Sequence, residues 1–291
     1  GMDNVIALGR GDPDFHTPRH IVEAAKKALD ENKHHYTPPT GLPELRKSIS
    51  KNFELKYNLD YSEDEIIITA GVQESIALAM ISLLKADDEV LITSPRFTTY
   101  DLTVRMCNAK PVPVHTYEKD NFALMPELIE QKITKKTKLL VLVSPNNPTG
   151  AVTPPNNIKK IAQIAIDNNL IVISDEIYAD LIYDSHEHLS IGSLEKMKER
   201  TLTLNGFSKT YAMTGWRVGY IAGPIDIINK MTEIRHALSI NSCTFSQYGA
   251  LAALDGPQEE INKMKNEYNE SRKFSMKALS DIGFTYCDPG G

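Results

Sequence analysis

The chain has 291 residues and very little sulfur chemistry to organise it. Its three cysteines, Cys107, Cys243 and Cys287, are odd in number and far apart, with no metal-ligand or redox spacing. A disulfide scaffold is therefore excluded, and a reducing cytoplasm is the expected compartment. Long apolar runs are lacking too: segments such as Leu139 to Val143 fall far short of the roughly 20 residues that span a bilayer. The opening Gly1-Met2-Asp3-Asn4 shows neither the basic start nor the apolar stretch of a signal peptide, and Gly1 before Met2 reads as a tag remnant. There is no surplus of positive charge. A net charge of −6, with both signs interspersed, leaves no footprint for nucleic acid or an anionic membrane. No internal repeat or low-complexity segment appears. GRGDPD near the start hints at a phosphate loop, but no GxGxxG follows and no helix opens directly behind it, so an ordered loop is expected. His34-His35 has no carboxylate or cysteine at ligand spacing, which argues against a metal site.

The chain does carry an ordinary globular balance of 41% hydrophobic and 24% charged residues. That is enough for one large α/β body with a second, smaller lobe. Thr17-Pro18 predicts a helix start, with Thr17 as cap and Ile21, Ala24, Ala25, Ala28 and Leu29 on one stripe. From Ile66 onward seven strand candidates alternate with helical segments: 66–69, 90–93, 111–115, 139–143, 170–174, 201–205 and 218–222. Their continuous rather than alternating apolar character predicts a mostly parallel sheet covered on both faces. After Asp255-Gly256-Pro257 the strand rhythm stops and a long charged helix is expected, with Ile261, Met264, Tyr268 and Ser271 on one face. That break marks the predicted boundary between a large domain, 36–256, and a remainder made of 1–35 and 257–291.

In open α/β sheets ligands bind beyond the carboxyl ends of the strands. The residues found there converge. Gly71-Val72-Gln73 opens a helix after the first strand and offers backbone N–H groups to an anion. Phe97 follows the second strand, Ser144-Pro145-Asn146-Asn147-Pro148-Thr149-Gly150 the fourth, and Asp175-Glu176-Ile177-Tyr178 the fifth. Lys209 follows the sixth within NGFSKTYAMTGWRVG, which also holds Arg217. A lysine on a loop with an arginine close behind suits a cofactor bearing a reactive aldehyde and a phosphate, namely pyridoxal phosphate held by Lys209 as a Schiff base.

These segments, with GDPDF at 11–15 and YTPPTGLPELR at 36–46, strongly resemble the class I/II aminotransferases. Those are fold-type I pyridoxal-phosphate enzymes related to aspartate aminotransferase. The resemblance implies an α/β fold, a three-layer α/β/α sandwich around a mostly parallel seven-stranded central sheet, with an incomplete small domain. It implies that Lys209 is the catalytic lysine and moves the proton at the substrate α-carbon. It implies that Asp175 pairs with the pyridine nitrogen and that Tyr178 and Asn147 hydrogen-bond the ring hydroxyl. Phe97 would stack on the ring, and Arg217 with Gly71, Val72 and Gln73 would hold the phosphate. Tyr36 is expected to reach the phosphate of a neighbouring subunit, which makes a homodimer the expected assembly.

Two departures from the family stand out. Many members have a serine three residues before the lysine, where this chain has Gly206, and Ser208 is read as shaping the backbone. Members also continue past this point to complete the small domain, whose arginine clamps the substrate α-carboxylate. The leading expectation is ping-pong transfer of an α-amino group from an amino acid to a 2-oxo acid. Abstraction of the α-proton serves a β-eliminating lyase equally well, and a chain that binds the cofactor without turnover also stays open. The substrate is not legible: Ser239 to Gln247 offers no lysine or arginine for a distal carboxylate, and Arg96 beside Phe97 could serve but reads as an exposed, solvated arginine.

Overall fold

The computed structural model describes residue 9 and residues 11–291, so Arg10 of the GRGDPD turn lies outside the described residues. Two helices come first, α1 (Arg19–Asp30) and α2 (Pro43–Tyr57). The α/β alternation then begins with β1 (Ile66–Thr69), α3 (Val72–Leu83), β2 (Glu89–Ser94), α4 (Thr99–Met106) and β3 (Lys110–His115). It continues through α5 (Pro126–Glu130), β4 (Thr137–Val143), α6 (Pro155–Asp167) and β5 (Ile171–Asp175). The chain closes with β6 (Thr201–Gly206), β7 (Gly219–Ala222), α7 (Ile225–Leu238), α8 (Thr244–Asp255) and α9 (Glu259–Asp281).

All seven predicted strands exist and form one sheet in the order β1-β7-β6-β5-β4-β2-β3. β2 to β6 pair parallel wherever they are neighbours, and β7 alone runs antiparallel to both β1 and β6. Alternation of side chains about the pleat splits the core in two directions. Ile67, Val90, Ile92, Val141, Ile173, Leu204 and Ile221 pack on one face beneath α3, α4 and α7. On the other face α1, α2 and α8 cover the β1 and β7 side, with Ile21, Ile49, Phe53 and Ala250 fully buried there. α5 and α6 cover the β2, β4 and β5 side of that same face. Complete burial of a Leu, Ile or Phe side chain is worth roughly 1.5–3 kcal/mol each, so this three-layer core is a rigid frame for whatever lies at its edge. No described helix is long and apolar enough to cross a membrane.

Three local expectations need correction. The cap of α1 is Pro18, not Thr17, because the Thr17 hydroxyl is used elsewhere. It donates to the Ala212 carbonyl at 2.6 Å and accepts from Trp216 Nε1 at 3.1 Å. Leu29 sits on the exposed side of α1, whereas Ile21, Ala25 and Ala28 are buried. Asp175 is the last residue of β5 rather than part of the following loop, and this places its carboxylate inside the sheet edge.

Candidate active site

β2, β4, β5 and β6 end side by side. The loops that follow them line a cleft of about 1150 Å³ with Val72, Gln73, Phe97, Asn147, Asp175, Tyr178, Lys209 and Arg217 among its walls. Eight of the ten residues singled out in the sequence thus meet in one cavity. Gly71 backs it from behind Arg217, and Tyr36 does not reach it. Tyr36 is 79% exposed and borders a separate recess with His34, His35, Asn241 and Phe245.

Asp175 forms the innermost charged group of the cleft. It is buried and accepts hydrogen bonds from Tyr100 Oη and, at 3.1 Å, from the Ile177 N–H. Complete burial pushes its pKa up to about 6, with the Tyr100 and Ile177 bonds opposing the rise. Among the described residues no cation pairs with it. A buried carboxylate without a counter-charge is costly to maintain, and a positively charged ring nitrogen would supply the missing partner.

Lys209 stands across the cleft. Burial lowers its pKa, against the pull of the Asp12 carboxylate, and so enlarges the fraction of neutral amine. Its Nζ donates to the Gly11 carbonyl and lies 5.9 Å from the centre of the Tyr178 ring. The Tyr178 phenol has its pKa raised by burial and by the Asp175 charge, with the Asn147 side chain opposing the rise. The phenol therefore stays protonated and able to donate.

The opposite end of the cleft is built for an anion. Gly71 caps α3 with φ of +84°, and a Cβ there would lie 2.7 Å from Arg217 Nη2. A Cβ on Gly219 would collide with the Gly71–Val72 peptide at 2.8 Å. Glycine at both places lets the start of β7, the start of α3 and the Arg217 guanidinium come into contact. Arg217 is then held by two carbonyls, Thr214 O at 3.0 Å and Ala70 O at 3.1 Å. Helix-start N–H groups beside a fixed guanidinium make a strong phosphate cradle.

Gly206, the departure from the usual serine, has a steric reason. It pairs with Gly219, and a Cβ would sit 3.0 Å from the Gly219 Cα and 3.2 Å from the Val218 carbonyl. Ser208, read from the sequence as shaping the backbone, lines the cleft instead. Arg96 is not a solvated surface group: it clasps Asp101 through two nitrogens, each at 2.5 Å.

The sequence reading missed Tyr100, which looks like any core aromatic on α4, and the closing role of Gly11 and Asp12. Asp12 accepts from the Thr214 hydroxyl at 2.7 Å and so pins its loop over Lys209. Pro289 and Gly291 also reach the cleft, with the Gly291 N–H donating to the Gly150 carbonyl at 3.1 Å.

The same architecture recurs in known proteins. The family described as aminotransferase class I and II matches residues 3–291. The chain belongs to the class I and II aminotransferases. Members of this family work with pyridoxal phosphate, and the Asp175, Lys209 and Arg217 groups fit its ring, aldehyde and phosphate ends respectively. An aspartate aminotransferase of Pyrococcus abyssi is 42% identical, over the whole of this chain and 76% of the relative. Aromatic-amino-acid aminotransferase 2 of Thermococcus litoralis is 40% identical, again over the whole chain and 76% of the relative. The solved aromatic aminotransferase from Pyrococcus horikoshii superposes with a TM-score of 0.97 at 41% identity, covering 99% of this chain and 78% of that one.

Proposed function

We propose that this aminotransferase holds pyridoxal 5′-phosphate on Lys209 and passes an α-amino group from an amino acid to a 2-oxo acid. The observation that carries the proposal is the buried carboxylate of Asp175, with no cation paired to it among the described residues, in the same cavity as a lysine of lowered pKa. When bound, the cofactor supplies an aldehyde carbon for attachment to an amine and a protonated ring that draws electrons from the α-carbon.

The chain's own residues do the rest. Lys209 Nζ would hold the cofactor through its aldehyde carbon and, as a free amine of lowered pKa, would carry the proton from the substrate α-carbon to that carbon. Asp175 holds the ring nitrogen in its protonated form. Asn147 and Tyr178 orient the ring through its hydroxyl, and Phe97 covers one face. Arg217 and the Gly71, Val72 and Gln73 backbone hold the phosphate. Tyr36, exposed and outside its own cleft, is read as completing the phosphate site of a second copy of the chain in a homodimer. Residues 36–256 are read as the cofactor-binding body, and 1–35 with 257–291 as part of a smaller lobe. The two half-reactions run in turn: one amino acid leaves as its 2-oxo acid, and a second 2-oxo acid leaves as an amino acid. The names of the relatives mark aspartate and the aromatic amino acids as the donors to try first.

Borohydride trapping tests the assignment. The wild-type chain mixed with the cofactor and reduced should carry one added cofactor mass on the peptide containing Lys209, and Lys209→Ala should carry none. An adduct retained in Lys209→Ala would overturn it. In a separate, unreduced sample of the loaded chain, aspartate or an aromatic amino acid should release the matching 2-oxo acid without ammonia. Ammonia with pyruvate would mark an eliminating lyase instead.

A further inference from the structure

Behind the phosphate cradle lies a charge pair that the reaction itself does not use. Glu74 sits in the first turn of α3, next to the bond network that fixes Gly71. A carboxylate there favours the helix start, yet its negative charge opposes binding of an anion at the same helix end. The fully buried side chain of Arg235, on α7, provides the counter-charge, with its Nε 3.5 Å from Glu74 Oε2.

Two hydrogen bonds and one ion pair converge on the two oxygens of Glu74. The Ala70 N–H donates to Oε2 at 2.5 Å, the Ser239 hydroxyl donates to Oε1 at 2.8 Å, and Arg235 approaches Oε2. Ala70 is also the residue whose carbonyl accepts from Arg217 Nη2. One peptide segment is therefore gripped by Glu74 at its N–H and by the phosphate-binding arginine at its C=O. Arg235 extends the grip. Its Nη2 donates to Ser242 Oγ at 2.6 Å, Ser242 donates to the Ile68 carbonyl at 3.3 Å, and its Nη1 donates to the Pro39 carbonyl. The end of β1, the turn at 70–71 and the start of α3 thus share one buried anchor.

We infer that Glu74 and Arg235 are positioning residues for the phosphate cradle, setting the Ala70–Gly71 turn and Arg217 while Arg235 cancels the charge that would repel the phosphate. The inference rests on reading the Gly71–Arg217 corner as the phosphate site. Gln at 74 keeps the shape but leaves one acceptor oxygen for the Ala70 N–H and the Ser239 hydroxyl and no charge for Arg235. Lysine at 235 keeps the charge but cannot serve Pro39, Ser242 and Glu74 together.

The test compares pyridoxal phosphate with pyridoxal, which lacks only the phosphate, on the full chain stripped of cofactor. Dissociation constants are measured for wild type, Glu74→Gln, Arg235→Lys and Ser239→Ala, with inorganic phosphate as competitor. Although Glu74→Gln removes a charge that opposes the phosphate, it should lower the preference for the phosphorylated ligand about tenfold, the scale of the charged hydrogen bond that holds the Ala70 N–H, and weaken competition by phosphate to match. Ser239→Ala should give a smaller loss in the same direction, and binding of pyridoxal should stay within about twofold throughout. Variants that melt earlier but keep the full wild-type preference would assign the pair a purely structural role and overturn the inference. A wild-type chain that does not distinguish the two ligands would overturn the phosphate-site reading beneath it.

Discussion

Tyr100 donates its phenolic proton to Asp175 Oδ2 deep in the cleft, and this bond sets how easily the carboxylate ionises. Burial and the facing charge of Asp175 hold the phenol well above its ordinary pKa, so it remains a donor at any working pH. Complete burial raises Asp175 to about 6, and Tyr100 restrains that rise. In Tyr100→Phe the restraint is gone and the carboxylate pKa climbs through neutrality. The acidic midpoint for binding pyridoxal phosphate should move up by about one to two pH units, since a hydrogen bond to a charged group is worth about 1.5–3 kcal/mol. Titrations of the stripped protein from pH 5 to 9 would show it, and an unmoved midpoint would remove Tyr100 from this role.

Asp175 trades stability for function. Its value of about 6 in the folded chain lies above the ordinary 3.8, so its protonated form favours folding. That contribution is complete below about pH 4 and is lost as pH rises through 6, leaving a penalty of up to about 3 kcal/mol at neutral pH. Asp175→Asn should therefore unfold at higher denaturant than wild type at pH 7.5 when both lack cofactor, and equally at pH 4. The same variant should bind pyridoxal phosphate more weakly and lose turnover by a hundredfold or more, the scale seen for removal of one electrostatic partner.

His188 and Glu176 make a second buried pair directly behind Asp175. His188 Nε2 lies 3.0 Å from Glu176, which also accepts from Ser174 Oγ and Ser190 Oγ at 2.8 and 2.6 Å. Burial alone would lower the His188 pKa, but the Glu176 charge and hydrogen bond outweigh it, and the net shift is upward from 6.5 with Asp180 assisting. Stability from this pair is complete below about pH 6.5 and fades as pH rises past the folded-state value. The gap in melting temperature between wild type and His188→Gln should be widest near pH 6 and narrow toward pH 9. A gap constant across that range would mean that the ring contributes packing alone.

Gly71→Ala tests the cradle sterically. The new methyl would need φ of +84° and would press on the Arg217 guanidinium. Left-handed backbone strains a residue with a Cβ by about 1–2 kcal/mol, and the guanidinium would have to yield as well. The expected outcome is a protein that folds with reduced stability and loses most of its preference for pyridoxal phosphate over pyridoxal. Full retention of that preference would show that Arg217 can relocate without loss.

Much of this was legible in the order of residues. Continuous runs such as LLVLV at 139–143 and IVISD at 171–175 read as strands covered on both faces, and the helix between them implies the parallel pairing that is found. The chemistry just past them, Asn147, Tyr178 and Lys209, could be placed on one edge by the rule that such ends face the ligand. The direction of β7 could not be read, because GYIA has the same apolar character whichever way it runs. Thr17 reads as a cap because nothing local reveals that Ala212 and Trp216 compete for its hydroxyl. Arg96 reads as a surface residue because its partner Asp101 lies across a turn. Arg235 has no sequence signal at all: within EIRHAL it is one polar residue on a helix, and only the packed structure shows every side of it enclosed.

The reversal of β7 has a mechanical consequence. Because Gly206 and Gly219 face each other at the mouth of the excursion that carries Lys209 and Arg217, both side chains leave from one closed pair of strands. A tilt of the outer strands would move this excursion as a whole, with little leverage on the gap between Lys209 and Arg217. Tolerance to inserted residues should follow the same line: high in the turns that join the distant helices, and absent between 206 and 219, where one extra residue would change the reach of the lysine and the arginine together.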